Sequence, residues 1–324
     1  MRLNVAYACG EEYVRHAGVS MISLLANNKS FDDIFIYLIE NNITEESKFE
    51  LQNIVKKYNR NIVFVSCTEL CDSLKADDQN GRYSIATYSK LFYGKFEEID
   101  KIIYLDCDTS VSASLEELWK IDLNSYSVAG VWDDAAPRLK SSVNIHGNEK
   151  YINTGFLLMN LNNWRKNNYQ EKCISFINTY NGNVPFLDQG VINSICKGDI
   201  LILSPKFNLM SYLVMHKAEE IEALCEVDAM YTQKEIDEAI KQPVIIHWVT
   251  GFYNRPWCIN CTHPLKEKYL MYLEISPWAG QLVNSDLSIK TKMIHCLYKR
   301  VPFFLYRLVR KASDKRKGKI LYGK

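Results

Sequence analysis

The sequence predicts an α/β fold, with a mostly parallel sheet covered by helices on both faces. Three observations carry this. Short apolar runs rich in β-branched residues alternate with stretches whose apolar positions recur every three or four residues, the order of strand–helix units. The chain has 324 residues and is 47% hydrophobic, enough for one large domain with a sizeable core. One apolar run, residues 102–105, ends in Asp106-Cys107-Asp108, and ligand sites of open α/β sheets lie beyond the carboxyl ends of their strands.

Residues 5–9 read as the first strand, and 13–25 as a helix with Val14, Ala17, Met21, Leu24 and Leu25 on its apolar face. A strand at 35–39 precedes a helix over 47–58 that carries Phe49, Leu51, Ile54 and Val55. Residues 62–65 form the third strand, 84–96 read as helical, and 102–105 form the strand before the two carboxylates. The near-continuous apolar character of these runs suits strands buried on both faces. Beyond residue 125 the pattern loosens. A strand over 127–132 runs into Asp133-Asp134, and another over 156–159 follows Asn153-Thr154-Gly155. One helix is expected over 162–180, a second after Leu187-Asp188-Gln189-Gly190, and a strand over 244–246 runs into His247. No linker rich in Pro, Gly or Ser interrupts this series, so residues 1–287 read as one catalytic domain and 288–324 as a tail.

Composition narrows the setting. No apolar run reaches the roughly 18 residues of a membrane span, and the first ten residues read as a strand rather than a signal peptide. Ten cysteines without framework spacing suggest reduced thiols and a cytoplasmic location; Cys258 and Cys261 stand at metal or redox spacing but lack a second pair. The net charge of +1 hides an asymmetry, because residues 288–324 hold twelve Lys and Arg against the single acid Asp314. In this tail Ile294, Leu297, Val301, Leu305 and Leu308 fall on one side of a helix, Phe303, Phe304 and Tyr306 add aromatic anchors, and Pro302 begins a fresh helix or kinks one. A basic amphipathic segment of this kind fits the interface of an anionic membrane. No nucleic-acid-binding motif accompanies the charge, so nucleic acid is not an expected partner.

The chemistry starts from Asp106 and Asp108. Side chains alternate along a strand, so both carboxylates leave on one side, where they repel unless a cation lies between them. Hard ions such as Mg²⁺ or Mn²⁺ take such ligands. From the residues alone this is a metal–nucleotide site or a solvated turn, and His247 is a third ligand or a packed core histidine. Gly251 allows close backbone approach and Arg255 offers a guanidinium to phosphate. Asn153, Asp188 and Gln189 are caps and turn residues, or together the lining of a sugar pocket.

Six segments, in this order and spacing, resemble glycosyltransferase family 8, whose members include bacterial lipooligosaccharide and lipopolysaccharide galactosyl- and glucosyltransferases and glycogenin. They are residues 8–14 (Ala-Cys-Gly-Glu-Glu-Tyr-Val), 86–91 (Ala-Thr-Tyr-Ser-Lys-Leu), 104–108 (Tyr-Leu-Asp-Cys-Asp), 151–155 (Tyr-Ile-Asn-Thr-Gly), 187–190 (Leu-Asp-Gln-Gly) and the loop 247–257. The resemblance runs from residue 5 to about 265. It implies a GT-A fold, a Rossmann-like domain that takes a UDP-sugar with Mn²⁺ or Mg²⁺. It implies Asp106, Asp108 and His247 as metal ligands. Ala8, Cys9, Tyr13, Lys90, Asp106, Cys107, Gly251 and Arg255 would meet the nucleotide and its phosphates. Lys90, Asp133, Asn153, Asp188 and Gln189 would meet the transferred sugar. Gln189 falls nearest the anomeric carbon and Asp188 is the rival as a covalent nucleophile, so both stand as catalytic candidates. Since an amide is a poor nucleophile, front-face attack by the acceptor hydroxyl is the expected mechanism.

The expected function is therefore metal-dependent transfer of galactose or glucose from UDP-galactose or UDP-glucose to a glycan acceptor, with retained α configuration. Lipooligosaccharide, capsule or another lipid-linked glycan is the expected acceptor. The expected location is cytoplasmic, peripheral on the inner face of the cell membrane through the tail. A catalytically silent UDP-binding protein and a nucleotide-sugar phosphohydrolase are the alternatives. Four positions depart from the family. Gly10 stands where an Asp usually contacts uracil, with Glu11 and Glu12 as substitutes. Lys90 replaces Arg, and Arg255 replaces Lys. The loop is one residue longer on each side of Gly251.

Overall fold

The computed structural model describes residues 1–74, 85–250, 253–285 and 287–322. Its main sheet has seven strands: β1 (Arg2–Gly10), β2 (Asp33–Asn41), β3 (Asn61–Ser66), β4 (Lys101–Leu105), β6 (Val128–Trp132), β7 (Ile152–Asn160) and β8 (Ile200–Ile202). They lie in the order β3-β2-β1-β4-β7-β6-β8. Neighbours pair in parallel except at β7, which runs against both β4 and β6. A second sheet joins β5 (Thr109–Val111), β10 (Ile245–His247) and β9 (Leu209–Met210).

The apolar runs are explained by burial on both faces. In β1, Leu3, Val5, Tyr7 and Cys9 enter the core under helix α1 (Val14–Asn27) and helix α2 (Glu45–Lys57), while Ala6 enters the core on the other face. In β4, Ile103 and Leu105 face the first core, Ile102 and Tyr104 the second. Alternation thus divides each strand between two apolar layers.

Some expectations hold and others need correction. The helical stretch expected over 84–96 is present at 85–95, as a run of 3₁₀ turns. The helix expected over 162–180 is two, Leu161–Lys166 and Tyr169–Thr179, divided where Asn168 takes the left-handed conformation at φ 51°. Asp106 and Asp108 converge through a turn after β4, not by strand alternation. The strand expected to run into His247 is present as β10, in the small sheet and antiparallel to β5.

The tail forms two helices, Ile289–Arg300 and Phe303–Tyr322. They break at Val301, held extended at φ −120° and ψ 154° as residues before proline are. Tyr298 donates to the Met215 carbonyl at 3.0 Å and to Glu220 at 2.8 Å, and Tyr306 is fully buried beside His216. Ile289, Met293, Phe304, Leu305, Leu308 and Val309 face outward, whereas Ile294, Leu297 and Val301 are half-buried, so the exposed apolar face is rotated from the expected stripe. No helix among the described residues is long and apolar enough to cross a membrane.

Candidate active site

The carboxyl end of β4 organises the site. The Asp106 amide donates to the Gly155 carbonyl at 2.7 Å, and the Thr109 hydroxyl closes the turn on the Asp106 carbonyl at 2.8 Å. β10 pairs His247 with Thr109, and the Trp248 amide donates to the Asp108 carbonyl, which sets the imidazole beside the turn. As a result one atom from each of Asp106, Asp108 and His247 lies within 4.8 Å of the others. His247 Nε2 is 3.2 Å from Asp108 Oδ1 and 3.7 Å from Asp106 Oδ2. Two carboxylate oxygens and one imidazole nitrogen suit a hard or borderline divalent cation, so the residues fit the metal that the sequence suggests.

Partners around the cluster leave defined atoms toward a cation. Tyr104 donates to Asp106 Oδ1 at 2.6 Å, which leaves Oδ2 toward His247. Arg255 Nη2 lies 3.2 Å from Asp108 Oδ2, Nη1 donates to the Tyr13 hydroxyl at 3.1 Å, and the guanidinium sits 5.2 Å over the Trp257 ring. Burial works to raise the Asp108 carboxyl, but the charges of His247 and Arg255 outweigh it and hold it at about 2. Burial likewise disfavours charge on His247, yet Asp108 and then Asp106 shift its imidazole above the ordinary value.

Lys90 joins this cluster to a second one. Only 2% exposed, its ammonium donates to Asp188 Oδ2 at 2.7 Å and to the Thr154 carbonyl at 3.1 Å, 3.9 Å from Asp106. It therefore sits beneath the site as a clamp between two acids. The Thr154 hydroxyl donates to the same Asp188 oxygen at 2.7 Å. Beside them Asp133 accepts from Asn153 at 3.0 Å and from the Gln189 amide at 2.9 Å. The Gln189 carbonyl accepts from the Thr154 amide at 3.3 Å, and Asn208 donates to Asn153 at 3.1 Å. Asp133, Asn153 and the adjacent pair Asp188 and Gln189, drawn from three separate segments, are thus one network.

Backbone conformation builds the network's far wall. Helix Leu187–Ile195 is entered through Phe186 and Leu187, both left-handed at φ 62° and 54°, a costly geometry for side-chain-bearing residues that is common at functional sites. This entry puts Asp188 and Gln189 in the first turn. It also brings Pro185 so close that a Cβ on Gly190 would stand 1.9 Å from its carbonyl oxygen.

The remaining expected residues fall around the end of β1. The Cys107 thiol donates to the Ala8 carbonyl at 3.3 Å, and Cys9 and Cys107 are both buried there. Glu11 caps α2, accepting from the Thr44 amide at 2.7 Å and the Ser47 hydroxyl at 2.7 Å. Glu12 folds back, its Oε2 3.1 Å from where a Cβ on Gly10 would stand. Gly251 lies outside the described residues. Sequence reasoning assigned no role to Tyr104, Thr154, Gly155 or Asn208. Three of them stand inside the segments that carry the resemblance, whereas nothing in the sequence around Asn208 marks it.

One family model covers most of the chain. The profile described as "Glycosyl transferase family 8" matches residues 4–261. General stress protein A of Bacillus subtilis (strain 168) is 27% identical over 282 residues, covering 85% of this chain and 94% of that protein. The lipopolysaccharide 1,2-glucosyltransferase of Escherichia coli (strain K12) is 25% identical over 294 residues, covering 89% of this chain and 82% of that one. The crystal structure of the galactosyltransferase LgtC with donor and acceptor sugar analogues is similar at a TM-score of 0.69 and 20% identity, over 85% of this chain and 96% of that one, which is a likeness of fold.

Proposed function

The chain belongs to glycosyltransferase family 8, and from that premise we propose that it moves galactose or glucose from a UDP-sugar to a lipid-linked glycan acceptor, with retention of the α configuration. It is a hexosyltransferase of GT-A fold. The observation that carries the finer reading is the bridge at Lys90, which ties a three-ligand metal cluster to an amide–carboxylate network suited to sugar hydroxyls. Asp106, Asp108 and His247 would hold Mn²⁺ or Mg²⁺, whose positive charge would offset the negative charge of the diphosphate and of the departing UDP.

Asp188 is 5% exposed and its Oδ2 is held by both Lys90 and Thr154. That engagement supports a role in orienting the sugar rather than attacking it. Gln189 has its amide donated to Asp133, which aligns its carbonyl toward the Thr154 amide. A fixed dipole there supports front-face attack, with Gln189 stabilising charge at the anomeric centre. Since Glu11 is occupied in capping α2 and Glu12 covers Gly10, we assign the base-facing carboxylate to Glu12.

The tail's outward apolar residues and its excess of Lys and Arg support attachment to an anionic lipid surface. There each basic residue contributes about 1 kcal/mol. All ten cysteines are free thiols, nine of them buried, in keeping with a reducing, cytoplasmic compartment.

The test is a panel of UDP-sugars with Mn²⁺, scored for slow UDP release without acceptor and for transfer with acceptor, with the product anomer read by NMR. One UDP-hexose should stand out, and its product should be α. UDP binding without turnover would mean a silent member of the family. Release at full rate without acceptor would mean a phosphohydrolase.

A further inference from the structure

We propose that Arg310, in the C-terminal helix, is a positioning residue for sugar transfer: acting through Asp134, it sets Asp133, the carboxylate that holds Asn153 and Gln189. The inference rests on the transfer reading above.

The strand β6 delivers Asp133 and Asp134 at its end, and the domain holds the backbone leading into that segment. Tyr212 donates to the Trp132 carbonyl at 2.6 Å, Tyr231 accepts from the Trp132 amide at 3.2 Å, and the Asp133 amide donates to the Tyr151 carbonyl at 2.9 Å. The tail adds a side-chain contact to the second of the two acids, where Arg310 Nη2 lies 3.9 Å from Asp134 Oδ2. Docking puts Arg310 there. Tyr306, one turn earlier, is fully buried with its ring 5.8 Å from that of His216. Tyr298 is bonded to Glu220, Arg307 lies 4.0 Å from Glu226, and Lys311 pairs with the same Glu226. Helix Phe303–Tyr322 therefore packs on Ala218–Cys225 and on Pro137–Ser141, the helix that follows Asp134.

Adjacent carboxyl groups do not ionise together cheaply. Burial, and then Asp133, push Asp134 up to about 6, while Arg310 and, more weakly, His216 pull it down. Tyr212 and Cys225, both neutral and pushed up by burial, complete the surroundings. Ionised and paired with Arg310, Asp134 leaves Asp133 free to accept from Asn153 and Gln189. Protonated, Asp134 donates to Asp133 and draws it away from those amides. Arg310 thus holds the network in its receptive form near neutral pH, and the tail becomes part of the catalytic machinery.

The test uses full-length Arg310→Gln, Arg310→Lys, Asp134→Asn and the Arg310→Gln/Asp134→Asn pair. Each is measured for donor turnover across pH, for UDP–Mn²⁺ affinity by calorimetry and for melting temperature. Arg310→Gln should lower kcat about tenfold while UDP–Mn²⁺ affinity stays within about twofold, and the acid limb of its pH profile should move to higher pH. Arg310→Lys should restore most of kcat. Asp134→Asn should remove the acid limb, and the double variant should be no worse than the worse single one. Wild-type kcat and acid limb in Arg310→Gln would overturn the inference. So would a loss of turnover that simply follows a lowered melting temperature or lost UDP–Mn²⁺ binding, since that marks a structural role. A wild-type protein that neither binds UDP nor transfers sugar would defeat the transfer reading itself, a result distinct from an active enzyme indifferent to Arg310.

Discussion

Among single residues, the metal cluster depends on one missing methyl group. A Cβ on Gly155 would stand 2.2 Å from His247 Cε1 and 2.6 Å from Asp106 Oδ2, so Gly155→Ala must displace one ligand or the other. We expect Gly155→Ala to weaken Mn²⁺-dependent UDP binding at least about tenfold by calorimetry, with little change in EDTA. Asp108→Asn removes an anionic ligand and should cut turnover about a hundredfold or more while the protein still melts cooperatively. Activity within a few fold of wild type would refute the ligand assignment. The pH dependence of metal affinity follows from His247. Asp108 and Asp106 raise its imidazole against the effect of burial, and a cation must displace that proton. Apparent Mn²⁺ affinity should therefore fall as pH drops through and below the raised range, and plateau above it. Affinity that does not change between pH 8 and pH 6 would exclude His247 as a ligand.

At the level of elements, α1 carries a buried titratable group that the chemistry does not use. His16 stacks on Trp257 at 3.9 Å and meets the Tyr269 hydroxyl at 3.1 Å. Burial, then the charge of Arg15, lower it to about 3, and burial lowers His263 to about 4. Both imidazoles are neutral when folded, so below the ordinary value of about 6.5 the unfolded chain takes up protons first. Stability is thus present at neutral pH and lost on acidification from there, by about 1.4 kcal/mol per pH unit for each group. Urea midpoints should fall steeply from pH 7 to pH 5, and His16→Phe should flatten that slope; an unchanged slope would show that His16 is not responsible. Helix Leu187–Ile195 is a contrasting case, because close backbone packing fixes it beside the Lys90–Asp188 pair. Gly190→Ala would collide with the Pro185 carbonyl and should shift Asp188 and Gln189, lowering kcat more than UDP affinity. The single helix expected over 162–180 was misread because periodicity reports apolar spacing and carries no mark of a left-handed residue such as Asn168.

Over the whole molecule, the tail docks on the domain through Tyr306, fully buried beside His216, and through Tyr298, Arg307, Arg310 and Lys311, which bind acids and carbonyls of the domain, whereas neither large apolar cluster includes a tail residue. A chain lacking 288–324 should therefore still melt cooperatively and bind UDP–Mn²⁺. It should lose most co-sedimentation with anionic vesicles, which in the full chain should weaken with salt. Equal sedimentation of both proteins would show that the tail is not the anchor.

What the sequence by itself determined is the fold class and the family, and it named the candidates for the site. The pair Asp106 and Asp108, the histidine His247 and the sugar-pocket candidates Asn153, Asp188 and Gln189 are legible because motifs record residue type and order. The α/β class is legible because burial on both faces leaves continuous apolar runs. What only the tertiary structure decided is how those groups act on one another. β10 sets His247 opposite Thr109, Lys90 lies under two acids, Gly155 clears space for a ligand, and a tail arginine reaches Asp134. These relations join residues tens to hundreds of positions apart, and charge and steric contact depend on distance in space, which no local pattern encodes.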